Sequence, residues 1–181
     1  MSETKPLHIP VLLNEIVDQF STYEKEPQWL LDGTFGRGGH TRALMARFPQ
    51  MKVLAVDKDV DALEYGRQNF SSEISSGRLT LFHGSFADVI NAPVFKDKKF
   101  DFILLDLGVS SPQLDQAERG FSFYNDGPLD MRMNHTQKTT AATMINEWDE
   151  EDLFDIFKNY GEIHNPARVI RAILNDRGAK P

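Results

Sequence analysis

The feature that most narrows what this chain can fold into is a recurring arrangement: a short apolar run closed by an acid, then a turn, then a helical pattern. Residues 28–32 (QWLLD) lead into the loop GTFGRGGH and a stripe through Leu44, Met45 and Phe48. Residues 52–57 (KVLAVD) repeat the device, and Asp59 opens a helix carrying Ala62, Leu63, Gly66 and Phe70. Runs at 78–83 and 100–106 (FDFILLD at its end) continue the alternation. A parallel crossover needs a dozen or more residues, and a helix supplies them, so this spacing predicts an α/β fold around a mainly parallel sheet.

In open parallel sheets, ligands bind beyond the carboxyl ends of the strands. Asp32, Asp57 and Asp106 end the first, second and fourth runs. One such acid is ordinarily a helix cap; three on one edge suggest a shared crevice. Gly36, Gly38 and Gly39 would let backbone approach a ligand without a Cβ in the way. A glycine loop with Asp57 about twenty residues after it also suits a dinucleotide, and a nucleotide-dependent oxidoreductase is one alternative. Asp32 argues against it, because an acid beside a pyrophosphate is repelled whereas one beside a cation is attracted. S-adenosylmethionine carries both an ammonium and a sulfonium. Asp57 would then take its ribose and Phe86 would flank its adenine, the competing role of Phe86 being core packing. His40 would donate to its carboxylate or serve as a surface cap.

Beyond Asp106 the texture changes. Residues 107–137 are rich in Gly, Pro, Ser and Asp without a sustained period, which predicts an extended ordered loop. From Thr139 the pattern is helical: Asp149 caps a helix with Glu150, Glu151 and Asp152 in its first turn, and Asn165–Pro166 starts another with Ile170, Ile173 and Leu174 on one face. The expected organisation is a core over 1–106, a loop over 107–137 and a helical lobe over 138–181. About four strands make a small sheet, and pairing of two copies is one way to cover its open edge.

Composition limits the partners. A net charge of −7 does not describe a protein that grips nucleic acid over its whole surface, so any RNA contact must be local. Arg168, Arg171, Arg177 and Lys180 near the end, and Arg119 and Arg132 in the Gly-rich stretch, are the candidates; solvated helix faces or ion pairs with Asp115, Asp126 or Asp130 are the plainer reading. Phe121 and Phe123 either stack on a base or pack under their loop. There is no run of about 20 apolar residues to cross a bilayer and no signal-peptide pattern in MSETKPLH, which predicts a cytoplasmic protein without a membrane. The absence of cysteine excludes disulfides, thiolate metal sites and thiol nucleophiles, and no metal is expected.

The stretch DLGVSSPQLDQAERGFSFYNDGPLDMRM at 106–133, with HIPVLLNE at 8–15 and DGTFGRGGHT at 32–41, closely resembles the signature of the RsmH (or MraW) family of bacterial methyltransferases, which modify N4 of a cytidine in 16S ribosomal RNA. The resemblance runs from about His8 to the last residue. It implies a Rossmann-like class I methyltransferase core, here partial, with a helical substrate-recognition lobe inserted after the fourth strand. It also implies S-adenosylmethionine as methyl donor, contacted by Gly38, Gly39, His40, Asp57, Phe86, Asp106 and Gln113, and the small ribosomal subunit as partner. Asp106 is then the candidate catalytic residue, with Ser110, Ser111, Pro112, Arg119 and Arg132 toward the substrate. YGEIHNPA at 160–167 departs from the family pattern, and the chain is expected to be C-terminally truncated relative to the family, its lobe incomplete. A truncated, catalytically impaired cofactor- or RNA-binding module is the alternative function. Absent cysteine favours an amino-nitrogen acceptor over pyrimidine C5, whose methylation ordinarily needs a thiolate.

Overall fold

The computed structural model describes residues 9–179, which leaves His8 and Lys180 outside. It divides into two compact units, Met1–Ser110 and Ser111–Pro181.

In the first unit, helix α1 (Leu13–Ser21) precedes strand β1 (Trp29–Asp32), helix α2 (Gly39–Arg47), strand β2 (Lys52–Asp57), helices α3 (Val60–Asn69) and α4 (Ser71–Ser75), and strands β3 (Leu79–His83) and β4 (Phe102–Leu104). All pairings are parallel and the spatial order is β3-β2-β1-β4. The chain therefore lays its first three strands in one direction from β1 and returns to place β4 on the other side, which makes the gap between β1 and β4 the topological switch point.

Alternation along the strands separates two apolar layers, since successive side chains point to opposite faces. Leu30, Val53, Ala55 and Leu79 pack with Leu44, Met45, Phe48, Leu63 and Phe70, and Ile16, Val17 and Phe20 of α1 lean on the same layer. Leu31, Leu54 and Val56 face the other way, onto Val89 and Phe95. The return from β3 to β4 covers that second face with two short 3-10 turns, Val89–Asn91 and Pro93–Phe95, instead of an α-helix. Pro93 at the start of one turn lacks an N–H and prevents a continuous helix there.

Strand β4 is shorter than the run at 100–106 predicts. Its last rung is the Gly33 N–H donating to the Leu104 carbonyl (2.9 Å), after which the Asp106 N–H donates to the Thr34 hydroxyl (2.7 Å). A side chain thus replaces the ladder partner, and the backbone leaves the sheet. Among the described residues β4 pairs on one side only, and Ile103, Leu105 and Leu107 are exposed.

The second unit holds α5 (Ser111–Asp115), a 3-10 turn Ala117–Arg119, α6 (Ala141–Glu147), α7 (Glu150–Asp155) and α8 (Ala167–Asp176). The stretch expected to be loop throughout thus contains two short helical turns and is otherwise irregular. Asp149 does cap α7, accepting from the Asp152 N–H at 2.9 Å. Helix α7 runs on as a π-helical turn, Ile156–Tyr160, and α8 buries Ile170 while leaving Arg168 and Arg171 exposed. Arg177 is committed to structure, donating to the carbonyls of Ile145 and Trp148.

Candidate cofactor and active site

The loop after β1 is built around two carboxylates. Asp32, 2% exposed, accepts from the Thr41 hydroxyl at 2.6 Å and from the Thr34 N–H at 3.2 Å. Asp57 accepts from the Gly36 N–H at 2.7 Å and, through its other oxygen, from the Asp59 N–H at 2.9 Å. Asp59 in turn accepts from the Asp61 N–H to cap α3. The Phe35 N–H donates to the Val56 carbonyl, so the loop is fastened to the carboxyl end of β2 by backbone and side chain together.

Burial raises both acids, because desolvation disfavours the charged form. Asp32 is pushed up to about 6, with the Thr41 and Thr34 bonds pulling the other way, and Asp57 is raised by its partial burial against the bonds from Asp59 and Gly36. A cation placed nearby would reverse these shifts. Of the three acids expected to face a ligand side by side, Asp32 and Asp57 are instead hydrogen-bonded to the loop itself.

The glycines divide by task. Gly36 (φ +54°) faces open space where a Cβ would stand, so its backbone is approachable. Gly38 (φ +69°) N-caps α2, and a Cβ there would stand 2.6 Å from Phe70 and 2.7 Å from Phe35; at Gly39 it would run into Pro10. These two glycines make close packing possible, where the sequence suggests ligand approach. His40 is 7% exposed and donates Nε2–H to the Val11 carbonyl at 2.9 Å, so it ties the chain before α1 to the start of α2 and is not a surface cap.

Phe86 is half-exposed against Gly33, and Asp106 is exposed just past β4. The first unit thus gathers Asp32, Gly36, Gly38, Gly39, His40, Asp57, Phe86 and Asp106 around the carboxyl ends of β1, β2 and β4, with Ser110 at its end. Ser111, Pro112, Gln113, Arg119 and Arg132 belong to the second unit. Gln113 is buried there in α5. Arg119, also buried, donates to the carbonyls of Arg132 and Met133 (both 3.1 Å). Arg132 forms a fork on Asp130 and reaches the His135 and Gln137 carbonyls. Both arginines hold the loop together, Arg132 through the expected acid Asp130 and Arg119 through carbonyls. Sequence reading missed Thr34 and Thr41, whose hydroxyls bond the Asp106 N–H and the Asp32 carboxylate; Thr34 stands two residues after a strand-end acid, a weak signal, and Thr41, nine residues after it, has none.

A family model described as "MraW methylase family" matches residues 5–181. A protein of Bdellovibrio bacteriovorus named "Ribosomal RNA small subunit methyltransferase H" is 50% identical over 179 residues, covering 98% of this chain and 54% of the relative. One of the same name from Thermobifida fusca is 40% identical over 181 residues, covering 97% of this chain and 53% of the relative. The chain therefore spans about half the length of the curated relatives it matches. Among solved structures, a putative rRNA-methylase from Clostridium thermocellum aligns with a TM-score of 0.44 at 20% identity, covering 58% of each chain.

Proposed function

This chain belongs to the MraW methylase family, and on that premise we propose that it binds S-adenosylmethionine at the carboxyl ends of β1, β2 and β4 and serves methyl transfer to the N4 amino group of a cytidine in 16S ribosomal RNA. The observation that carries the reading is the gathering, within one unit, of a glycine loop, a buried carboxylate (Asp32), a half-buried one (Asp57) and an exposed third (Asp106) at the carboxyl ends of β1, β2 and β4.

The residues suit the ligand. Asp57 keeps spare lone pairs for ribose hydroxyls, the open backbone at Gly36 admits close approach, and Phe86 offers a ring beside an adenine. Asp32 and Asp57, held partly desolvated, favour a cation over an anion. When bound, S-adenosylmethionine supplies an electrophilic methyl on a sulfonium. The chain's own work is to align an acceptor nitrogen with that methyl. Cytosine N4 is a weak nucleophile because its lone pair is delocalised into the ring. Asp106, with the carbonyls of Gly108 to Ser110, would accept its amino protons, turn the lone pair toward the methyl and stabilise developing positive charge. Gln113 is assigned to the cofactor, Ser110, Ser111 and Pro112 to the substrate base, Arg119 and Arg132 to the frame of the substrate loop, and residues 138–181 to a substrate-recognition lobe. The site operates in the cytoplasm on the small subunit.

Calorimetry with S-adenosylmethionine and methyl transfer to small ribosomal subunits test this together. Asp106→Ala is expected to lower transfer about 100-fold or more at saturating cofactor. Near-full turnover in a folded variant overturns the assignment. Because the chain spans half of its relatives' length, a second reading stands beside the first: a binding module, expected to bind the cofactor without turnover.

A further inference from the structure

Residues 120–131 of the second unit form a loop closed at its neck. The Met131 N–H donates to the Arg119 carbonyl (3.0 Å), the buried Arg119 guanidinium spans to the carbonyls of Arg132 and Met133, and Gly127 lies so close to the Ala117 carbonyl that a Cβ would overlap it. The far side is pinned to α6, where the Ala141 and Ala142 N–H groups donate to the Asp130 and Leu129 carbonyls. At the tip, the Ser122 hydroxyl accepts from the Tyr124 and Asn125 N–H groups, both at 3.1 Å. This well-fastened loop presents Phe123 at 101% and Tyr124 at 99% exposure.

Two adjacent bare aromatic rings on a hydrogen-bonded loop are unusual, because each forgoes the burial that normally stabilises such a side chain. Phe121, half-buried, takes the packing role, and Phe123 does not. Polar Ser122, Asn125 and Asp126 border the rings together with Gly127, Pro128 and the exposed Leu129, around a depression of about 460 Å³. A protein partner's anchor residue is ordinarily ringed by contacts that exclude water. A nucleobase needs only a ring face to stack on and an amide to meet its edge, and the exposed Asn125 supplies the amide.

We propose that Phe123 and Tyr124 are a base-stacking platform that captures an unpaired base of the RNA substrate, with Asn125 bonding the base edge. This rests on the RNA-directed reading above and extends it to a contact made by the tip of residues 120–131. Stacking tolerates any base, so the platform favours single-stranded over paired RNA.

The test uses the whole chain and a short single-stranded oligoribonucleotide carrying 2-aminopurine, whose fluorescence is quenched on stacking, beside the same strand annealed to its complement. The parent protein is expected to quench the single strand and to bind it more tightly than the duplex. Phe123→Ala and Tyr124→Ala are each expected to weaken binding about tenfold and to abolish most of the quenching, with Tyr124→Phe close to the parent. Unchanged affinity and quenching in the double alanine variant overturn the proposal, as does a parent that binds no single strand, or variants that lose only self-association. Calorimetry with S-adenosylmethionine separates the two readings: a chain that binds the cofactor but shows no ring-dependent RNA binding refutes the platform alone.

Discussion

The glycine loop of the first unit and the irregular stretch of the second are both fastened by side chains bonded to backbone, and the charged groups that do it differ in sign. Around β1, carboxylates accept from backbone N–H groups: Asp32 from Thr34, Asp57 from Gly36 and Asp59. Between α5 and α6, guanidinium groups donate to backbone carbonyls: Arg119 to Arg132 and Met133, Arg132 to His135 and Gln137. A carboxylate can satisfy only donors and a guanidinium only acceptors. A turn feeding a helix start has spare N–H groups, which suits the carboxylates of the first loop. The second stretch uses both signs, since Asp130 also accepts from the Arg132 N–H while the guanidinium groups take the carbonyls.

The contrast can be broken in order of expected effect. Gly38→Ala combines a left-handed backbone with crowding against Phe35 and Phe70. It is expected to cost about 4 kcal/mol in chemical denaturation, and a cost below about 1 would show that the first loop yields easily. Next comes pH. Asp32 rises to about 6 from 3.8, so the folded state binds its proton more tightly than the unfolded one. The stability this brings is full below about 4 and is lost as pH rises through about 6, on the order of 3 kcal/mol. Asp32→Asn should remove that slope, and equal slopes in parent and variant would refute it. Asp130 has the opposite sign, because the Arg132 bond lowers it and its contribution is lost only in acid. Smallest is Arg119→Ala, expected to cost about 2 kcal/mol by leaving carbonyls unpaired and to open residues 120–133 to protease. A variant as resistant as the parent would show that the neck holds without it.

Much of the first unit was legible. Short apolar runs located β1, β2 and β3 within a residue or so, the first two closed by acids, since buried parallel strands leave little else for such runs to be. Helix α1, the 3-10 turns and the early end of β4 were not, because each depends on a partner distant in sequence: Phe20 on Phe102, Asp106 on Thr34. The site residues could be named but not oriented. Nothing in the letters Gly38 and Gly39 says that their missing Cβ atoms face Phe35, Phe70 and Pro10, or that His40 turns to Val11. In the second unit, Asp149 was readable because a cap is local. Phe121 and Phe123 were indistinguishable until the neck of their loop fixed which ring points inward.

The strand order carries a kinetic corollary. Leu30 meets Val53 after one short crossover, but it meets Phe102 only after a span about three times as long, and closing that longer stretch costs about 1 kcal/mol more in chain entropy. Strands β1, β2 and β3 with their intervening helices can assemble by successive near-neighbour steps, while β4 has to wait for a finished edge to dock on. In hydrogen-exchange experiments the amides of Phe102 to Leu104 should gain protection last during refolding and surrender it first, so that the strand leading to Asp106 comes into register only on a template already formed.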